Sequence, residues 1–189
     1  MGQLDRDGIV TPYQGARAQP WDPGAAIPAP LVLHRTTVPP AWVDYNGHMS
    51  ESCFLLAFGD SADAFFRYVG IDEAYRAAGH SLFTAETHLH HHGEAVEGDL
   101  LRLELRVLDA DRKRVHLFHE MHRQRTGALL ATAEQLLLHV DTVAGRVVPL
   151  PDRLADRLAA IRAAHLGLPR PAGVGHVMGI PHRTGAEGE

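Results

Sequence analysis

Five consecutive residues, Asp44 to His48 in Trp42-Val43-Asp44-Tyr45-Asn46-Gly47-His48-Met49-Ser50-Glu51, hold a carboxylate, a carboxamide, a glycine and an imidazole. These groups can take a proton, hold a water or orient a carbonyl. Asn46-Gly47 favours a turn, and an apolar pattern of helical period begins directly after it. A helix N-terminus offers unpaired backbone N–H groups at the positive end of the helix dipole. Such a place can hold a carbonyl oxygen as it gains negative charge. The spacing therefore predicts an active site on a loop that feeds a helix. Asp44 is the principal candidate, with turn capping as its plainer role. Ser50 is a weaker nucleophile candidate, because no Asp/His pair follows at a recognisable spacing.

The elements that must position this loop can be read around it. Residues 31–38, apolar and β-branched, predict a strand ended by Pro39-Pro40. From 49 to 69, Phe54, Phe58, Ala62, Phe65 and Val69 recur at spacings of three and four, one helical face. Ala57, Gly59, Ser61 and Ala64 are small and admit a close neighbour. Glu51 sits in the first turn, where negative charge suits the dipole, and Gly70 is a C-terminal stop. A short helix over 72–78 follows. The period then changes to two. Residues 81–92 predict a strand with Glu86, His88, His90 and His92 on one face, and 100–108, 115–122 and 129–140 predict three more. The last is apolar on both faces, as at a sheet centre or a subunit contact. Short turns between them, including Asp109-Ala110-Asp111-Arg112, predict an antiparallel meander. A final helix is expected over 151–165. One apolar helix against one curved antiparallel sheet is an α+β arrangement. Residues 1–30 read as a flexible N-terminal arm and 166–189 as an extended C-terminal tail.

The 189 residues suit one domain with a real core. A net charge of −5 argues against a nucleic-acid binder. The single cysteine, Cys53, excludes an intrachain disulfide and fits a reducing, cytoplasmic setting. No apolar run is long enough to span a bilayer, and no signal peptide is expected. The 14 histidines are the compositional oddity.

The layout, with Asp44-Tyr45-Asn46-Gly47-His48-Met49 before the helix, resembles the hotdog-fold thioesterases of the 4-hydroxybenzoyl-CoA thioesterase type. The Asp-x-Asn-x-His pattern is also similar to the catalytic stretch of plant acyl-carrier-protein thioesterases. Phe58-Gly59-Asp60, Glu86-Thr87-His88, His116-Leu117-Phe118-His119 and Leu130-Ala131-Thr132-Ala133-Glu134-Gln135 resemble the betainyl-CoA thioesterases associated with or fused to L-carnitine dehydrogenase. His90-His91-His92 departs from that pattern. The resemblance implies a hotdog domain over 31–165, active sites at a dimer interface, and a homodimer or an assembly of dimers. It implies hydrolysis of a short-chain acyl-CoA, betainyl-CoA, to glycine betaine and CoA, with no metal and no cofactor.

On that reading Asp44 attacks the thioester carbonyl or deprotonates the water that does. Asn46 holds the water or the acyl carbonyl, and His48 orients Asp44 or the water or contacts the thioester directly. A trimethylammonium group would be met by aromatic faces from Trp42, Tyr45 and Phe54, with Glu86 and His88 sharing a strand face and Glu94 as a second acid. Arg112, Lys113 and Arg114, the densest basic cluster, are the candidates for the CoA phosphates. His88, His90 and His92 are better read as solvated or interface histidines than as metal ligands. Two other functions compete: a hotdog dehydratase or hydratase, which places its His and Asp differently, and a non-catalytic acyl-CoA binding module, which would not need Asp44.

Overall fold

The computed structural model describes residues 12–13 and 21–179. Most of the expected N-terminal arm, and the tail beyond 179, lie outside the described residues. The elements follow in the order β1 (Leu31–Thr37), a 3-10 turn (Pro40–Trp42), α1 (Glu51–Val69), α2 (Glu73–Ala77), β2 (His80–His91), β3 (Leu100–Ala110), β4 (Arg114–Arg123), β5 (Leu129–Asp141), β6 (Arg146–Val147) and α3 (Asp152–His165). The sheet is antiparallel with strand order β1-β3-β4-β5-β2, and β6 pairs with β5. Two details differ from the sequence reading. β3 runs on through Ala110, into residues read as a turn, and a bulge after Val107 restores its pairing with β4. β6, two residues long, is too short to show a period.

The apolar spacing of α1 explains its place on the sheet. Phe54, Phe58 and Phe65 are almost wholly buried against β3, β4 and β5. Each such side chain contributes about 1.5–3 kcal/mol. The helix stops at Gly70, whose φ of 100° is left-handed, and its N–H and that of Ile71 both reach back to Phe66 O. The core divides into two clusters. Phe65, Tyr68, Leu105, Leu117 and Leu158 belong to one, and Met49, Phe54, Phe58, Leu101 and Met121 to the other, beneath the Asp44 loop. His119, fully buried, lies edge-on to Phe58 at 5.7 Å.

Beyond the end of β1, α3 takes over the edge of β3. His165 Nδ1 accepts the N–H of Val107 at 3.0 Å, and its Nε2 donates to Pro28 O at 3.1 Å. Trp21 packs on Tyr68 and under the Arg157 guanidinium, so residues 21–30 lie against the domain. The tail crosses the outer face of the sheet. Arg106 Nη1 donates to Pro169 O at 2.9 Å, and Gly175 N–H to Glu134 Oε2 at 2.7 Å. Gly173 lies over Phe118, which is why an outward-facing phenylalanine is only 2% exposed.

Candidate active site

The Asp44 loop is a closed unit. Val43 and Met49 form an antiparallel bridge. Inside it, Asp44 N–H donates to His48 O at 2.9 Å and Gly47 N–H to Asp44 O at 3.0 Å. Gly47 has φ +78°, a conformation most side chains avoid. Asn46 N–H donates to Asp44 Oδ1 at 2.8 Å, which fixes the plane of the carboxylate. The capping role is thus real, and among the described residues it engages one carboxylate oxygen only. Two further bonds dock the loop. Met49 N–H donates to Ala95 O, and Ser50 N–H to Trp42 O, each at 2.8 Å. Ser50, the N-cap of α1, makes no side-chain cap; its Oγ lies 3.3 Å from Ser52 Oγ. The first amides of α1 therefore have no side-chain acceptor among the described residues, as an oxyanion site requires.

Beside this open helix end is a cleft of about 340 Å³ lined by His48, Met49, Glu51, Phe54, His91, Gly93 and Glu94. His48 Nε2 lies 3.1 Å from Glu94 Oε2, an ion pair when the imidazole is protonated. Phe54 meets His91 edge-on, with ring centroids 4.8 Å apart. Asp44 and Asn46 do not line the cleft; they border it through the loop that ends in His48.

The other sequence candidates are distributed differently. Tyr45 stands at the loop tip, 96% exposed, and Trp42 is half-buried against the core cluster under the loop. The aromatic box of Trp42, Tyr45 and Phe54 is therefore not assembled within one chain. Glu86 and His88 are not at the cleft either. In β2, Leu82 and Thr84 pair with His139 and Leu137 on the helix side, and a register shift follows between Thr84 and Glu86. Past it Thr87, Leu89 and His91 face the helix, while Glu86, His88 and His90 pair with Leu136, Glu134 and Thr132 on the outer face. There Glu86 and His88 line a cavity of about 530 Å³ with His116, Glu134 and His176. Glu51, His91 and Gly93, which do line the cleft, are not among the site candidates the sequence offers. Strand alternation gives the signal for His91, since it has the parity opposite to Glu86.

Arg112 and Lys113 lie in the β3–β4 turn and Arg114 opens β4, at the end of the sheet remote from the Asp44 loop. Eleven residues of β3 separate the two ends, roughly 30 Å. The turn borders a second cleft, with Leu138, Val147 and Pro149 as its apolar floor. Arg114 holds the Asp111 carboxyl down to about 2 through its hydrogen bond. For metals, Glu104, Glu120 and His122 on the outer face are the one group of described residues whose ligand atoms lie within 4.8 Å of one another. Arg102 and Arg106 already pair with Glu104 and Glu120, so a cation there would meet two guanidinium groups.

The curled antiparallel sheet around α1, with the Asp-x-Asn-x-His loop at the head of that helix, is the hotdog architecture. The sequence model of the Thioesterase-like superfamily matches residues 38–158, and the chain belongs to that family. A relative in Rhizobium meliloti (strain 1021), L-carnitine dehydrogenase/betainyl-CoA thioesterase, is 47% identical over 150 residues; the match covers 79% of this chain and 30% of that protein. The betainyl-CoA thioesterase of Pseudomonas aeruginosa is 41% identical over 152 residues, covering 80% of this chain and 96% of that one. A Staphylococcus aureus protein solved in complex with CoA superimposes with a TM-score of 0.76 at 25% identity, over 83% of this chain and 100% of that one. The chain thus spans under a third of the fused relative and nearly all of the free-standing one.

Proposed function

We propose that this chain hydrolyses betainyl-CoA to glycine betaine and CoA, at the Asp44 loop. The observation that carries the reading is the docking of that loop on an uncapped helix N-terminus, beside a His48–Glu94 pair. The names of the relatives support the substrate. The helix amides polarise the thioester carbonyl and hold the oxyanion. Asp44 either deprotonates a water that attacks the carbonyl or attacks it directly, giving an acyl-aspartyl anhydride that water then opens. In both routes the C–S bond breaks and CoA leaves as the thiolate, which then takes a proton. Asn46 and His48 orient the water and the carbonyl.

The same reading calls for a dimer. β2 pairs with β5 on one side, and its other edge has no strand partner among the described residues. An unpaired strand of 12 residues is a template for another chain. Antiparallel β2–β2 pairing about a two-fold normal to the sheet extends the sheet and keeps both α1 helices on one face. It also reverses one subunit end for end, so the basic turn of each lies at the same end of the joint sheet as the Asp44 loop of the other. The lateral offset is three to four strand spacings, about 15–20 Å, a span that suits a pantetheine arm. Arg112, Lys113 and Arg114 would then bind the CoA phosphates of the partner's site.

Free-thiol release from betainyl-, acetyl-, medium-chain and aromatic CoA esters tests the function. The expected result is the highest kcat/KM with betainyl-CoA. Preference for an uncharged acyl chain would remove the betaine assignment, and no hydrolysis of any ester would remove the enzyme reading.

A further inference from the structure

The cleft at the head of α1 is lined by two carboxylates, Glu51 and Glu94, and by no lysine or arginine. The two acids are not equivalent. Glu94 is engaged by His48 at 3.1 Å. Glu51, exposed at the first position of α1, makes no side-chain hydrogen bond or ion pair with any described residue. We propose that Glu51 is the residue that recognises the quaternary ammonium of the acyl group, and so sets the preference for a cationic over an uncharged acyl chain. The inference rests on the betainyl-CoA reading and adds to it the group that selects the charge.

Covalent geometry ties the cation to this turn. One methylene separates the ammonium nitrogen from the carbonyl carbon, so that nitrogen lies about 3 Å from the carbonyl oxygen. If the first amides of α1 hold that oxygen at about 2.9 Å, the cation centre sits within roughly 6 Å of them. A glutamate side chain on the same turn spans that distance. A trimethylammonium has no N–H to donate, so its recognition relies on diffuse attraction to carboxylates and aromatic faces. Aromatic surface is scarce here. Phe54 is 3% exposed and serves as floor, with its edge contact to His91, while Tyr45 points into solvent. The free carboxylate is left as the main attractive group, and its solvent exposure limits its strength.

The test compares betainyl-CoA with 3,3-dimethylbutyryl-CoA, in which carbon replaces the ammonium nitrogen and shape is kept without charge. The quantity read is the ratio of their kcat/KM values. The wild type should favour betainyl-CoA by about two- to fivefold, the scale of a partly screened charge contact. Glu51→Gln should collapse that ratio, through a raised KM for betainyl-CoA, and Glu51→Asp should restore part of it. Glu94→Gln should slow both esters in parallel, because Glu94 acts through His48. A wild type that discriminates while Glu51→Gln discriminates equally well overturns this inference alone. A wild type with no preference between the two esters overturns the betainyl-CoA reading as well.

Discussion

Asp44 carries a structural bond and proposed chemistry on the same carboxylate. Its Oδ1 accepts the Asn46 N–H at 2.8 Å, which orients the side chain, and the other oxygen makes no hydrogen bond to a described residue. An Asp44→Asn substitution can keep the capping bond, since the amide oxygen still accepts, but it cannot take a proton or attack as a carboxylate. The variant should fold with an unchanged melting midpoint and lose about 10²–10⁴-fold in kcat, the usual scale of a general base. It should still bind the CoA ester. Activity retained within twofold would contradict the role of Asp44. The residues of this loop were legible in the sequence because they are contiguous, and Asn46-Gly47 carries its own turn signal. The cleft was less so: His91 is the last residue of β2 and Glu94 lies in the loop after it, and their approach to Phe54 and His48 depends on packing that no local pattern records.

At the scale of elements, the sheet sets both parity and burial. The helix-period apolar positions of α1 and the alternation in β3 and β4 were readable, and the structure places those elements as expected. Which face of β2 meets α1 was not readable, because Glu86, His88 and His90 alternate as well as Thr87, Leu89 and His91. A bulge in mid-strand then shifts the register. That single choice moved Glu86 and His88 to the outer face. Alternation also buries imidazoles. Burial pushes His119 and His34 down to about 4, so both stay neutral in the folded chain while the unfolded chain protonates them near 6.5. At these two groups the unfolded state then binds more protons below pH 6.5, so their contribution to stability falls as pH drops from 6.5 toward 4, while Asp60, whose carboxyl burial raises to about 6, acts in the opposite sense. The loss is at most about 1.4 kcal/mol per pH unit for each histidine. Melting midpoints measured from pH 7.5 to 4.5 should decline through this window, with a shallower slope in His119→Gln. A slope unchanged in His119→Gln would contradict the burial of His119 as a neutral imidazole.

For the whole molecule, one chain holds the two halves of the proposed site at opposite ends of a sheet roughly 30 Å long. On the proposed function, the Asp44 loop hydrolyses a CoA ester with the basic turn of a second copy. Sequence alone named both sets of residues but gave no distance between them, so it left open that they serve one site from two chains. The direct test mixes two defective proteins, Asp44→Asn and the triple variant Arg112→Gln, Lys113→Gln, Arg114→Gln, with subunit exchange before assay at low betainyl-CoA. If the sites form across the β2 edge, each mixed dimer has one intact site and one doubly defective site. With random exchange, half the dimers are mixed, and recovery of about a quarter of the wild-type rate is expected. Activity no greater than the sum of the two parents would mean that loop and turn do not meet across the subunits, and would overturn the shared site.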